Sequence, residues 1–139
     1  MSQKIRDIMT SSPVTVPEQT SVHDAARRMR DADIGDVLVM DDGRMCGMIT
    51  DRDLVVRALA EGLDPDWTPV GDICSTELIS VGPDDDVGHA VDLMRHHALR
   101  RLPVMDDGRP VGVVSLGDLA MDRDPRSALA DISSAEPNS

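Results

Sequence analysis

Two short stretches carry the side chains best suited to chemistry: Thr50-Asp51-Arg52-Asp53 and Ser115-Leu116-Gly117-Asp118. Each places a hydroxyl three residues before a carboxylate. A hydroxyl both donates and accepts, whereas an ionised carboxylate only accepts and can serve two donors at once. The spacing has a second use. At a helix start, Ser or Thr followed three residues later by an acid is a capping box, worth about 1 kcal/mol to the fold. Ligand binding and helix capping are both open readings for these residues.

Other groups that could do chemistry lack the company they need. Cys46 and Cys74 belong to no C-x-x-C pair, and each falls where an apolar residue is expected. Reduced, buried thiols are the expectation. His23, His89, His96 and His97 form no zinc motif. The neighbours at 96 and 97 point to different helix faces. The Asp84-Asp85-Asp86 run and the Asp41-Asp42 and Asp106-Asp107 pairs fall in turns and helix starts. Solvated caps suit them better than a metal. There is no G-x-S-x-G nucleophile elbow, no Walker A loop and no paired-carboxylate setting. The chain is therefore not expected to be an enzyme.

The two motifs are positioned by a repeat. A shift of 65 positions lays the chain on itself without a gap. Val39-Met40-Asp41-Asp42-Gly43-Arg44 falls on Val104-Met105-Asp106-Asp107-Gly108-Arg109, Gly47 on Gly112, and Asp53-Leu54 on Asp118-Leu119. This is one unit present twice. Val14–Val16 and Ile79–Val81 are short β runs ended by Pro17 and by Gly82-Pro83. Val22, Ala25, Ala26, Met29 and Val87, Ala90, Val91, Met94 have the spacing of an amphipathic helix. Ser21 and Asp86 stand at the N-cap positions. Two β runs follow in each copy, joined by Asp42-Gly43 or Asp107-Gly108, a tight-hairpin signal. A second helix then starts at each motif, the first running to about Glu61 before Gly62.

The unit is thus β-α-β-β-α after a short helical lead-in, Ile5–Met9 or Gly71–Cys74. One module is expected over residues 4–62, a connector over 63–70, a second module over 71–121, and a partly disordered tail over 122–139. One unit buries its sheet poorly alone. Two packed as a pseudo-twofold pair would leave two clefts. Trp67, in the connector, is expected to be a packing plug or a dimer contact.

Composition narrows the partners. The 139 residues carry a formal net charge of −12, and Trp67 is the one aromatic residue. Such a chain repels phosphate backbones and anionic bilayers and offers no stacking platform. Neither nucleic acid nor membrane is expected as a partner. No stretch approaches the roughly 20 apolar residues of a membrane helix, and the start has no signal-peptide core. The expected compartment is the cytoplasm.

At Gly47-Met48-Ile49-Thr50-Asp51-Arg52-Asp53 and Gly112-Val113-Val114-Ser115-Leu116-Gly117-Asp118 the chain resembles the CBS domain, named after cystathionine β-synthase. Both stretches fit G-h-h-[T/S]-x-x-D, where h is apolar. Arg101-Leu102-Pro103-Val104 and the Asp7-Ile8-Met9-Thr10 opening resemble other segments of the family, and the likeness covers roughly residues 4–120. It implies an α/β fold of two β-α-β-β-α modules, a pair of which is a Bateman module. It further implies clefts that bind AMP, ADP, ATP, S-adenosylmethionine or a related adenosine compound. Thr50 or Ser115 would donate to phosphate, helped by backbone N–H groups at the helix start. Asp53 or Asp118 would accept from both ribose hydroxyls. Adenine would lie near the backbone at Val16 or Val81.

His97 matches a position where some nucleotide-sensing relatives place His on phosphate. It stands in the basic run Arg95-His96-His97-Ala98-Leu99-Arg100-Arg101; the first copy has Arg30-Asp31-Ala32-Asp33-Ile34-Gly35-Asp36. One cleft tolerant of phosphate, using His97 and Arg101, and one empty or taking an uncharged adenosine compound, are expected. A solvated helix end is the other reading of the basic run. The resemblance also implies a flat homodimer and a protein partner that reads out the ligand. The alternative is a dimerising module with empty clefts.

Overall fold

A computed structural model describes residues 3–76 and 79–123. The tail expectation falls almost wholly beyond them. The chain is α/β, as expected: two three-stranded sheets with helices. It divides into two units, Val14–Leu78 and Met1–Pro13 with Ile79–Ser139.

In the unit Val14–Leu78, β2 (Thr15–Pro17) runs parallel to β3 (Asp36–Asp41), which pairs antiparallel with β4 (Arg44–Thr50). Between β2 and β3 lies α2 (Val22–Ala32). Ser21 Oγ caps it by accepting from the Asp24 N–H at 3.1 Å, and Asp33 ends it in the left-handed conformation, φ 58°. After β4 the turn α3 (Asp51–Asp53) continues as a π-helical stretch, Leu54–Leu59, closed by the Ala60 N–H on the Val55 carbonyl at 2.8 Å. The core joins Val16, Val22, Ala25, Met29, Val37, Val39 and Ile49 to Val70, Ile73 and Cys74.

The other unit repeats this plan. Its α4 (Val87–His97) packs on β5 (Arg101–Asp106), which pairs antiparallel with β6 (Arg109–Ser115), and α5 (Leu116–Arg123) follows. The core is the 65-shifted counterpart: Val81, Val87, Ala90, Met94, Leu102, Val104 and Val114, with Ile5 where the other core has Val70. Both hairpins turn on two residues of positive φ, Asp42 (51°) with Gly43 (81°) and Asp107 (52°) with Gly108 (78°). That is the turn Asp-Gly favours, because its twist matches the flanking strands.

Two differences from the sequence reading have clear causes. The expected strand at Ile79–Val81 shrinks to one bridge, Val81 with Val104. In the first copy the Leu38 N–H donates to the Val14 carbonyl at 3.0 Å. The counterpart of Leu38 is Pro103, which has no N–H to give. At α4, Asp86 makes no side-chain cap bond and instead takes the Lys4 ammonium at 2.9 Å.

The lead-ins are exchanged. The first lead-in, α1 (Ile5–Ile8) and β1 (Thr10–Ser11), belongs to the unit holding the second repeat, and β1 pairs with β6 through Thr10↔Val113 and Ser11↔Gly112. The second lead-in, a 3-10 turn Val70–Asp72, lies with the first repeat, where Ser75 bridges Met48. Each compact unit thus takes its lead-in from the other repeat.

Candidate functional site

Each motif stands where the last strand of a hairpin passes into a helix. In the first, Thr50 Oγ1 accepts from the Asp53 N–H at 3.1 Å, and Asp53 Oδ2 accepts from the Thr50 N–H at 2.9 Å. In the second, Ser115 Oγ accepts from the Asp118 N–H at 3.1 Å, and Asp118 Oδ2 from the Ser115 N–H at 2.8 Å. Both are complete, reciprocal capping boxes. Each box uses one oxygen of its carboxylate and leaves the hydroxyl proton available to donate.

The remaining oxygens differ. Asp53 Oδ1 lies 3.7 Å from Arg57 Nε, one turn along the helix, with the Asp53 side chain 17% exposed and that of Arg57 52%. Arg57 Nη1 also donates to the Ile73 carbonyl at 3.2 Å. Asp118 has no ion-pair partner among the described residues. Arg57 was not singled out in the sequence, although an opposite charge at i+4 on a helix is a legible pairing signal.

The backbone donors differ too. The Asp51 N–H donates to the Gly35 carbonyl at 2.9 Å, and the Leu116 N–H to the Arg100 carbonyl at 2.8 Å. The next amide, that of Arg52, is taken by Asp51 Oδ1 at 2.8 Å. Its counterpart at Gly117 has no acceptor among the described residues, because Leu116 stands where the first copy has Asp51.

The hairpin registers set a charged residue opposite each hydroxyl residue. Arg101 stands directly across from Ser115, and Asp36 directly across from Thr50. The placement of Arg101 follows from counting back from Asp107-Gly108 through the single-residue bulge at Val104/Met105. His97 is half-buried at the end of α4. The Val16 and Val81 side chains are buried, one in each core. The Val81 backbone is engaged as well, its N–H on the Pro103 carbonyl at 3.1 Å and its carbonyl accepting from Met105 at 2.8 Å.

The motif glycines have a packing role. A Cβ on Gly112 would lie 2.7 Å from both Met9 Sδ and the Thr10 carbonyl oxygen, so Gly there admits the exchanged lead-in. Cys46 and Cys74 are both free thiols, and burial pushes each above its ordinary value. Among the described residues no group of three or more His, Cys, Asp or Glu could hold a metal ion. No helix there is long and apolar enough to cross a membrane. Trp67 is 83% exposed and plugs nothing within the described residues.

A duplicated β-α-β-β-α unit with a hydroxyl–carboxylate box at each strand–helix junction defines a class, and comparison agrees with it. The CBS domain model matches residues 5–59 and 70–123, and the chain belongs to that family as a tandem pair. Among curated proteins it is similar to the CBS domain-containing protein YhcV of Bacillus subtilis, 39% identical over 133 residues, covering 93% of this chain and 94% of that one. Hypoxic response protein 1 of Mycobacterium tuberculosis is 37% identical over 116 residues, 83% of this chain and 81% of the other. A crystal structure of Hypoxic Response Protein I, with two coordinated zinc ions, superposes with a TM-score of 0.76 at 36% identity, covering 85% of this chain and 97% of that one. The CBS domain pair of MJ0100, in complex with 5′-methylthioadenosine and S-adenosyl-L-methionine, gives 0.77 at 26% identity, covering 86% and 94%.

Proposed function

We propose that this chain is a regulatory module of the cytoplasm that senses an adenosine-containing ligand in the clefts of the pair and signals through a protein partner. Thr50 and Ser115 bind phosphate or another polar substituent. Asp53 and Asp118 accept from ribose. The backbone around Val16 and Val81 lies against adenine, and His97 and Arg101 supply positive charge. AMP, ADP, ATP and S-adenosylmethionine are the candidate ligands, acting as signals and not as cofactors of a reaction.

One observation carries this reading: each motif acid is anchored through a single oxygen beside a hydroxyl whose proton is left to give. That is a ready acceptor–donor pair for a sugar phosphate. The likeness to a CBS pair crystallised with two adenosine compounds supports the ligand class. Exposed Val55, Val56 and Leu59, the last 74% exposed, support pairing of two copies through the π-helical stretch.

The completeness of both boxes favours a second reading, a dimerising module whose motifs only cap helices. Thermal unfolding with AMP, ADP, ATP, S-adenosylmethionine and adenosine separates the two. A ligand at 100-fold its Kd stabilises by about 2.7 kcal/mol. The increment disappears in the Asp53→Asn/Asp118→Asn double variant, measured against that variant's own ligand-free baseline. No increment with any of the five leaves the dimerising module.

A further inference from the structure

We propose that the first lead-in, α1 with β1, is an arm that two copies of this chain swap: in the dimer, each arm completes the second-repeat unit of the other chain instead of its own. No ligand is needed for this.

The N–H groups of Ile5 and Arg6 donate to the carbonyls of Asp85 and Pro83 at 3.0 and 2.9 Å, and the Val87 N–H donates to the Gln3 carbonyl at 3.1 Å. Lys4 pairs with Asp86 at 2.9 Å and Arg6 with Asp84 at 2.6 Å. β1 lies on β6. Ile5 is wholly buried in the core of that unit, and Ile8 and Met9 pack against it. All of these partners belong to the second repeat, whereas the chain runs from the arm directly into the first. A second copy offers the same partners, so an arm that crosses over regains each bond and loses none.

With the contacts equal, the hinge decides. β1 ends at Ser11 on one sheet and β2 begins at Thr15 on the other, so the chain changes sheets through Ser12-Pro13-Val14. Ser12 makes this turn with φ 55°, in the left-handed region. A residue bearing a Cβ is disfavoured there. The proline that follows disfavours it again, because its ring crowds the preceding residue and drives it towards extended backbone. The closed chain therefore holds strain at the one joint that swapping changes. An extended Ser12 relieves that strain and frees the arm to seat on a neighbour, and each dimer relieves two hinges. The second lead-in lacks the proline, with Leu78 where the first has Pro13.

The test identifies which chain supplies the arm. Thr10 and Val113 are directly opposed on β1 and β6, within reach of a cross-strand disulfide. Thr10→Cys/Val113→Cys, in a Cys46→Ala/Cys74→Ala background, is concentrated to millimolar, and its dimer is separated by size exclusion and oxidised with diamide. Denaturing electrophoresis without reductant is expected to show mostly two-chain species, in which peptide mapping links position 10 to position 113. A dimer that denatures to internally bridged single chains overturns the proposal, as does a link between two copies of position 10, or a chain that stays monomeric throughout. A second test uses no cysteine. One variant carries Lys4→Glu with Arg6→Glu, the other Asp84→Lys with Asp86→Lys. Alone, each sets like charges together at the arm; mixed, each arm meets opposite charge only on the other chain. The mixture is expected to form a heterodimer at least tenfold tighter than either homodimer, and equal affinities overturn the swap. Ser12→Gly admits the positive φ without strain and is expected to weaken the dimer of the otherwise unaltered chain at least fivefold; an unchanged Kd overturns the role of the hinge.

Discussion

Gly47 lies against Cys74 with no space for a side chain between them: a Cβ on Gly47 would sit 2.7 Å from Cys74 Sγ and 2.5 Å from the Ser75 carbonyl oxygen. Neither neighbour can give easily. Ser75 is bridged to Met48 through two backbone bonds, 3.1 and 3.0 Å. Gly47→Ala is therefore expected to destabilise by about 1–3 kcal/mol, the usual cost of overfilling a packed site. Gly112→Ala is expected to cost slightly less, because one of its two nearest neighbours is the flexible Met9 side chain. Urea unfolding midpoints measure both, and midpoints equal to the unaltered protein's would refute the packing role.

Exchange of the lead-ins predicts where a core truncation is felt. Ile5 and Val70 are each 0% exposed, in the cores of the second and first repeat respectively. Ile5→Ala should cost about 2–5 kcal/mol, and Val70→Ala less, since fewer methyl groups are removed. Native-state hydrogen exchange locates the damage. Ile5→Ala is expected to speed exchange in β5 and β6 more than in β3 and β4, and Val70→Ala the reverse. A lead-in serving its own repeat would give the opposite pattern.

Much of this was legible in the residues, and what was not has physical causes. The hairpins were readable because Asp-Gly between apolar runs admits few backbone solutions. The cores were readable because a 65-residue shift superposes Val16 on Val81 and Ile49 on Val114. The exchange was not. Periodicity tells which face of α1 is apolar, not which of two similar sheets it covers. The weak Ile79–Val81 strand could have been foreseen, since Pro103 removes a donor from the neighbouring strand. At the motifs, residue types revealed the boxes and the contrast between the acidic run ending in Asp36 and the basic run ending in Arg101, while Arg57, 3.7 Å from Asp53 Oδ1, lies outside the shared pattern and was passed over.

Helix ends offer a stabilising prediction. Ala98 ends α4 with φ 55°, in the left-handed region. An L-residue with a Cβ pays roughly 1–2 kcal/mol there, and Gly avoids that strain at some cost in unfolded-chain entropy. Ala98→Gly is expected to gain about 0.5–1 kcal/mol, net of that entropy. Asp33→Gly at the matching position of α2 should gain less, because Asp tolerates the conformation better. Scanning calorimetry decides it: Tm rises by a few degrees for Ala98→Gly, and a fall would mean the Ala98 methyl makes a contact that outweighs the strain.

The thiols predict how stability varies at high pH. Burial pushes the Cys74 thiol above its ordinary value of 9.0, with Cys46 nearby adding to the rise. A folded-state value above the unfolded one means the native chain holds its proton longer. The resulting stabilisation is complete below pH 9, where both states are protonated. It is lost as pH climbs from 9 through the raised folded value, because unfolding then releases a proton. Cys46 is raised for the same main reason, desolvation, and adds in the same direction. Unfolding free energy by urea should therefore decline between pH 8.5 and 10.5, and the decline should be shallower in Cys74→Ala. Iodoacetamide at pH 8 should label Cys74 more slowly than half-buried Cys46, and both more slowly than the urea-unfolded chain, since the thiolate is the attacking species. A native Cys74 that reacts as fast as the unfolded one would mean the thiol is not packed beneath Gly47, and the tight contact there would have to be abandoned with it.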